Sequence, residues 1–202
     1  MLKFAKRIDM EFADLDLSKT YTYADYLKWT FEDRVELIKG KIFKMSPAPT
    51  SKHQRISSRM HLALGNYLYG KQCEVFSAPF DVRLPRKSKD DKEIITVLQP
   101  DLCVICDPAK IEERGCLGAP DIVVEILSPA NNRKELQYKN EVYGEAGVKE
   151  YWVVDPRESG VQIYLLTNGK LLGSRYLFAG DMVTTPILPG FSLDVEKLFE
   201  KL

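Results

Sequence analysis

The sequence predicts an α/β domain of the α+β kind: a restriction-endonuclease-like arrangement in outline, with a mixed central sheet flanked by helices, an extra N-terminal hairpin and a C-terminal β-hairpin. Three observations lead there. Two amphipathic helical stretches, 51 to 70 and 133 to 146, alternate with near-continuous apolar runs, 97 to 106 and 122 to 127, as expected of the covered centre of a sheet. Shorter strand-like runs near both ends flank the turn-forming pairs Lys39-Gly40 and Asn168-Gly169. The order of elements lacks a regular strand–helix repeat, so a single mixed sheet layer is the simplest solution.

Taken in order, Thr22 can cap a short helix running to Trp29, with Asp25 in its first turn. Val35 to Ile38 and Lys41 to Met45 read as a hairpin, closed by Pro47 and Pro49. In the long helix Ile56, Met60, Leu64 and Leu68 recur every four residues, with Leu62, Ala63 and Tyr67 widening the stripe. Glu74 to Phe76 and Phe80 to Leu84 read as strand, and Arg86 to Glu93 is too polar to be anything but a solvated loop. Asn131 or Asn132 can cap the helix from Arg133, which ends at Gly147. Tyr151 to Val154 is a strand, Val161 to Leu166 pairs with Lys170 to Phe178, and a short helix from Leu193 follows the turn at Leu188-Pro189-Gly190. The expected organisation is one domain over 1–202, with 1–20 an N-terminal extension and 157–202 a hairpin and short helix packed on it.

With 202 residues, 45% hydrophobic and 29% charged, the chain can bury one sizeable core. No apolar run is long enough to span a membrane, and the N-terminus lacks a signal-peptide stretch, so the expectation is a cytoplasmic protein without membrane contact. A net charge of zero excludes binding of nucleic acid by bulk electrostatics but leaves room for a local basic groove. Cys103 and Cys106 have redox or zinc spacing, yet three apart on a strand they face opposite sides, and Cys73 and Cys116 stand alone. The four are expected to be small buried residues.

Asp101 and Glu125 are the informative acids. Each sits at the end of an apolar strand, where a buried charge costs several kcal/mol unless paired or metal-bound. Alone, Asp101 reads equally as a strand-entry acid after Pro100, and Glu125 as half of a buried salt bridge. If the face carrying Asp101 and Cys103 adjoins that carrying Val123 and Glu125, two oxygens can converge on one cation, and the pair favours a metal site. Glu36 by itself is an ordinary hairpin acid, and Lys139 an ordinary helix lysine. His53, near a helix N-terminus, suits either a phosphate contact or a plain surface position.

Several stretches together resemble the Uma-two family of restriction-endonuclease-like proteins, within the PD-(D/E)XK nuclease superfamily. They are Tyr23 to Leu27, Glu36 to Ile42, Met45-Ser46-Pro47, His53, Pro100-Asp101, Pro120 to Pro129, Lys139 to Tyr143 and Gly147 to Pro156. The resemblance implies a divalent-metal-dependent endonuclease using Mg2+ or Mn2+, with Asp101 and Glu125 as metal-binding acids and Glu36 as a further acid from the N-terminal part. The superfamily's lysine would fall at Leu127; Lys139, on the next helix, resembles a migrated equivalent. The implied partner is nucleic acid, with DNA the first expectation, and cutting both strands implies a homodimer. Specificity would come from loops such as Arg86 to Glu93. The alternative is a catalytically silent nucleic-acid-binding or protein-interaction module, for which Tyr164, Tyr176 and Phe178 offer a surface.

Overall fold

A computed structural model describes residues 11–45, 49–128 and 133–201. The expected features at Ser46-Pro47, Pro129 and the Asn131/Asn132 cap lie outside the described residues. Helix α1 (Tyr23–Tyr26) opens on Thr22, whose backbone N–H and hydroxyl both donate to the Asp25 carboxylate. Strands β1 (Val35–Ile38) and β2 (Lys41–Lys44) pair across Lys39 and Gly40, both with positive φ, as a two-residue hairpin turn requires. Helix α2 (Ser51–Leu68) follows, capped by the Thr50 hydroxyl and buried along Ile56, Met60, Leu64 and Leu68. Ala63 and Tyr67 widen that stripe; Leu62 does not, being 61% exposed on the outer face.

Beyond α2 the fold departs from the single expected layer. Strands β3 (Glu74–Ser77), β4 (Val82–Arg83), β5 (Val97–Leu98), β6 (Leu102–Ile105), β7 (Ile111–Glu112), β8 (Gly115–Leu117), β9 (Ile122–Ile126), β10 (Glu150–Asp155), β11 (Gly160–Thr167) and β12 (Lys170–Leu177) build two six-stranded sheets. One has the order β2-β1-β5-β4-β8-β7 and the other β12-β11-β10-β9-β6-β3. The run 97 to 106 is therefore not one strand: β5 belongs to the first sheet and β6 to the second. Pro100 has no N–H to give a ladder, and the chain bends there. The small β7–β8 hairpin and the pair β13 (Met182–Val183) and β14 (Leu193–Asp194) were not anticipated either; strands of two or three residues carry no readable period.

Helix α3 (Arg133–Ala146) is the crossover joining the parallel neighbours β9 and β10, and it ends where Gly147, at φ +93°, turns the chain and donates back to the Tyr143 carbonyl. One apolar cluster lies between the buried stripe of α2, the second sheet and the C-terminal residues Phe191, ahead of β14, Leu193 of β14, and Val195 and Leu198 of helix α4 (Val195–Phe199). Arg59 on α2 donates to the carbonyls of Lys197, Leu198 and Glu200, closing the end of α4. A second cluster joins Val82, Leu98, Cys103, Val123, Tyr143 and Tyr151, from both sheets and α3. Cys103 and Cys106 do face opposite sides, but Cys106 forms a disulfide with Cys73, and both are half-buried, so the expectation of four small buried residues holds only for Cys103 and Cys116, which are free and buried. Among the described residues no helix is long and apolar enough to cross a membrane.

Candidate active site

The antiparallel register of β6 and β9 sets Leu102 opposite Val124. Asp101 lies just beyond the end of this register, at the bend, near enough for its charge to act on Glu125. The bend is pinned: the Ile126 N–H donates to Asp101 Oδ2 at 2.7 Å. The faces carrying Cys103 and Val123 therefore adjoin.

Lys139 closes the cluster. From the middle of α3, with 4% of its surface exposed, it places Nζ 2.9 Å from Glu36 Oε2 and 3.0 Å from Glu125 Oε1. Tyr143, one turn on and fully buried, donates its hydroxyl to the same Glu125 oxygen at 3.0 Å. Glu36 reaches this point from β1, 2% exposed, and also accepts the Gln99 N–H at 2.8 Å. The site thus lies at the seam between the sheets: Glu36 from the first, Glu125 from the second, Asp101 from the link between them, and Lys139 from the crossover helix.

His53 joins from α2. Its Nε2 lies 3.3 Å from Asp101 Oδ2, and its ring is largely buried rather than turned outward from the helix end. Burial opposes its charge, but the hydrogen bond and charge of Asp101 outweigh that and hold the imidazole above its ordinary value. Gln99 and Tyr143 are the partners that reading the sequence for chemistry did not assign. Tyr143 carried a signal, four residues from Lys139 on one helical face; Gln99 acts through its backbone N–H and carried none.

The electrostatics are those of two buried carboxylates on one ammonium, with the Asp101–His53 pair beside them. Burial pushes the Glu125 carboxyl up to about 8, with Lys139 pulling it back and the charges of Glu36 and Asp101 adding to the rise. Lys139 is held well above its usual value: burial disfavours its charge, and the Glu125 and Glu36 carboxylates overcome that. The described contacts fall on Oε1 of Glu125 and Oδ2 of Asp101, whereas both oxygens of Glu36 engage Lys139. Among the described residues no three His, Cys, Asp and Glu side chains are disposed to hold a metal ion. A pair of hard oxygen ligands, however, is what suits Mg2+, which keeps several waters and binds through one or two carboxylates. Asp101 and Glu125 fit such an ion; Glu36 is committed to the lysine.

Comparison with known proteins bears on the family and the fold. The profile of the family described as "Uma2: Putative restriction endonuclease" matches residues 23–196. The uncharacterized protein slr1290 of Synechocystis sp. is 24% identical over 143 residues, covering 69% of this chain and 71% of its own length. A crystal structure described as that of a putative nuclease belonging to DUF820, from Anabaena variabilis ATCC 29413, superposes with a TM-score of 0.68 at 23% identity, over 89% of this chain and 97% of the other. At that identity the superposition speaks for the fold, a mixed α+β arrangement shared with that protein. The family match spans most of the chain, and the chain belongs to the Uma2 family of restriction-endonuclease-like proteins.

Proposed function

We propose that this protein is a divalent-metal-dependent endonuclease that hydrolyses phosphodiester bonds in DNA, with Asp101 and Glu125 as the metal-binding acids and Lys139 as the charge-stabilising group. The observation that carries the reading is Lys139, buried against Glu36 and Glu125 where the bend brings Asp101 beside the end of β9. Burying Glu36 and Glu125 against a single ammonium, beside the half-buried Asp101–His53 pair, is costly for a core and is the kind of clustered, perturbed arrangement that functional sites use. Membership of a family described as restriction endonucleases, and a shared fold with a protein described as a nuclease, support the same class of chemistry.

A Mg2+ or Mn2+ ion bound by the two acids supplies Lewis-acid polarisation of the scissile phosphate and acidifies water. The chain's own groups do the rest. Lys139 Nζ lies against both oxygens of Glu36 and Oε1 of Glu125, so a phosphate oxygen would take the place of one of these contacts, where charge grows as phosphorus becomes five-coordinate. Glu36 fixes the position of that ammonium. Tyr143 orients Glu125 through Oε1, and His53 with the Ile126 N–H orients Asp101 through Oδ2, so each acid turns its other oxygen toward a cation. In this account His53 is a positioning residue, and the phosphate contact expected of it passes to other groups. Two-strand cleavage would use a homodimer; Tyr176 and Phe178, exposed on and beside edge strand β12, are its proposed contact.

The test is cleavage of supercoiled plasmid and of labelled DNA and RNA oligonucleotides with Mg2+, Mn2+ or EDTA. The expected result is metal-dependent nicking of DNA. A parent protein that binds DNA but cuts nothing under any of these conditions would instead be a silent binding module.

A further inference from the structure

We infer that Arg34 grips the phosphate backbone of the substrate beside the acid cluster, aimed by Gln99. The inference rests on the nuclease reading and adds a substrate contact that the cluster's own chemistry does not require. Arg34 immediately precedes β1, and side chains two apart on extended chain share a face, so Arg34 and Glu36 project the same way about 7 Å apart along the backbone. The Arg34 guanidinium donates to Gln99 Oε1 from Nη2 at 2.7 Å and from Nε at 3.3 Å. Gln99 is itself fixed on every side. Its N–H donates to Glu36 Oε1 at 2.8 Å, and its amide to Asp81 Oδ1 at 2.8 Å and to the Tyr26 hydroxyl at 3.1 Å. It also lies two residues before Asp101, on the link that crosses the seam.

The acceptor chosen for Arg34 is the telling feature. Arg83, Arg86, Arg114 and Arg157 each face a carboxylate and Arg59 and Arg175 tie down backbone carbonyls of the C-terminal segment, whereas Arg34 makes no ion pair among the described residues and is held by a side-chain amide. A neutral amide orients the guanidinium without cancelling its charge, and the contact leaves three of its five N–H donors, including both on Nη1, for another anion. Holding a long side chain still costs rotamer entropy, and exposure alone returns nothing for it. A fixed, uncompensated fork next to a cluster of acids matches the geometry of a phosphate, and supplies locally the positive charge that a chain of zero net charge lacks overall.

The experiment is fluorescence anisotropy with a short fluorescein-labelled DNA duplex, in EDTA so that no cleavage intervenes, titrated across sodium chloride concentrations. Parent, R34A, R34Q, R34K and K170A are compared; Lys170, at the β11–β12 turn, controls for a simple loss of charge. Removing one phosphate contact should lower the slope of log affinity against log salt by about one and weaken binding roughly tenfold at moderate salt. R34A and R34Q should both do this. R34K should keep the slope while losing part of the affinity, since an ammonium cannot bind in the two-pronged manner. K170A should change neither. Equal slopes for parent, R34A and R34Q, equal losses in R34A and K170A, or a parent that does not bind the duplex would overturn the assignment. R34Q keeps the comparison open if R34A is recovered unfolded. The catalytic reading fails separately, if a parent with an Arg34-dependent slope cuts no DNA with Mg2+ or Mn2+.

Discussion

Lys139 neutralises two buried acids at once, and this sets what its substitution does. Lys139→Met leaves Glu36 and Glu125 buried without their cation, which should cost about 3–5 kcal/mol in urea unfolding. The double change Glu36→Gln with Lys139→Met removes one charge of each sign and should recover a substantial part of that loss; independent, additive effects would mean the two side chains are not coupled. Glu125 behaves in the opposite sense. Because burial raises its carboxyl to about 8, from 4.5, the folded chain binds that proton more tightly than the unfolded one, and stability falls as pH climbs through this interval. Lys139, held higher still, remains charged throughout and does not cancel the trend. Glu125→Gln, unfolded in EDTA, should therefore gain on the parent between about pH 5 and about pH 8, and a pH-independent difference would count against the buried-acid account. Asp101 and Glu125 stood out in the sequence as acids on apolar strands, whereas Glu36 and Lys139 came only from the family resemblance. The burial of Lys139 was not legible, because nothing local distinguishes a helix lysine aimed at two acids from one in solvent. Nor was the pairing of His53 with Asp101, which depends on where α2 begins relative to the bend at Pro100.

The helices and hairpins were legible because their signals are local. The four-residue spacing along α2 named its buried stripe, and Leu64, fully buried against the second sheet, carries the consequence: Leu64→Ala should destabilise by about 2–5 kcal/mol in urea unfolding, while Leu62→Ala on the exposed face should change little. Equal effects would contradict the placement of that face. Lys39-Gly40 and Asn168-Gly169 made their turns for the conformational reason the sequence suggested. What failed was continuity. The apolar run 97 to 106 satisfies the pattern of one central strand, and only the partner strands, Leu37 opposite Val97 and Val124 opposite Leu102, reveal that its halves belong to different sheets. The disulfide between Cys73 and Cys106 was hidden for a similar reason, since 33 residues separate them and the β3–β6 pairing alone makes them neighbours.

Across the molecule, the two sheets meet where the chain passes from β5 to β6, and the acids gather at that crossing. Such placement lets each sheet hold one part of the cluster rigidly, and it ties the chemistry to the assembly of the whole fold. Because α3 links two parallel strands, its inner face must lie over the second sheet, which carries Lys139 and Tyr143 onto Glu125. If the seam cluster cuts phosphodiesters, single-turnover cleavage of supercoiled plasmid by the parent and by Glu125→Gln, each confirmed as folded, will show it. Nicked and linear products are expected from the parent with Mg2+ or Mn2+ and none in EDTA, with Glu125→Gln slower by roughly a hundredfold or more. A Glu125→Gln protein that cuts at the parental rate, or a parent that cuts equally well in EDTA, would contradict that role for the cluster.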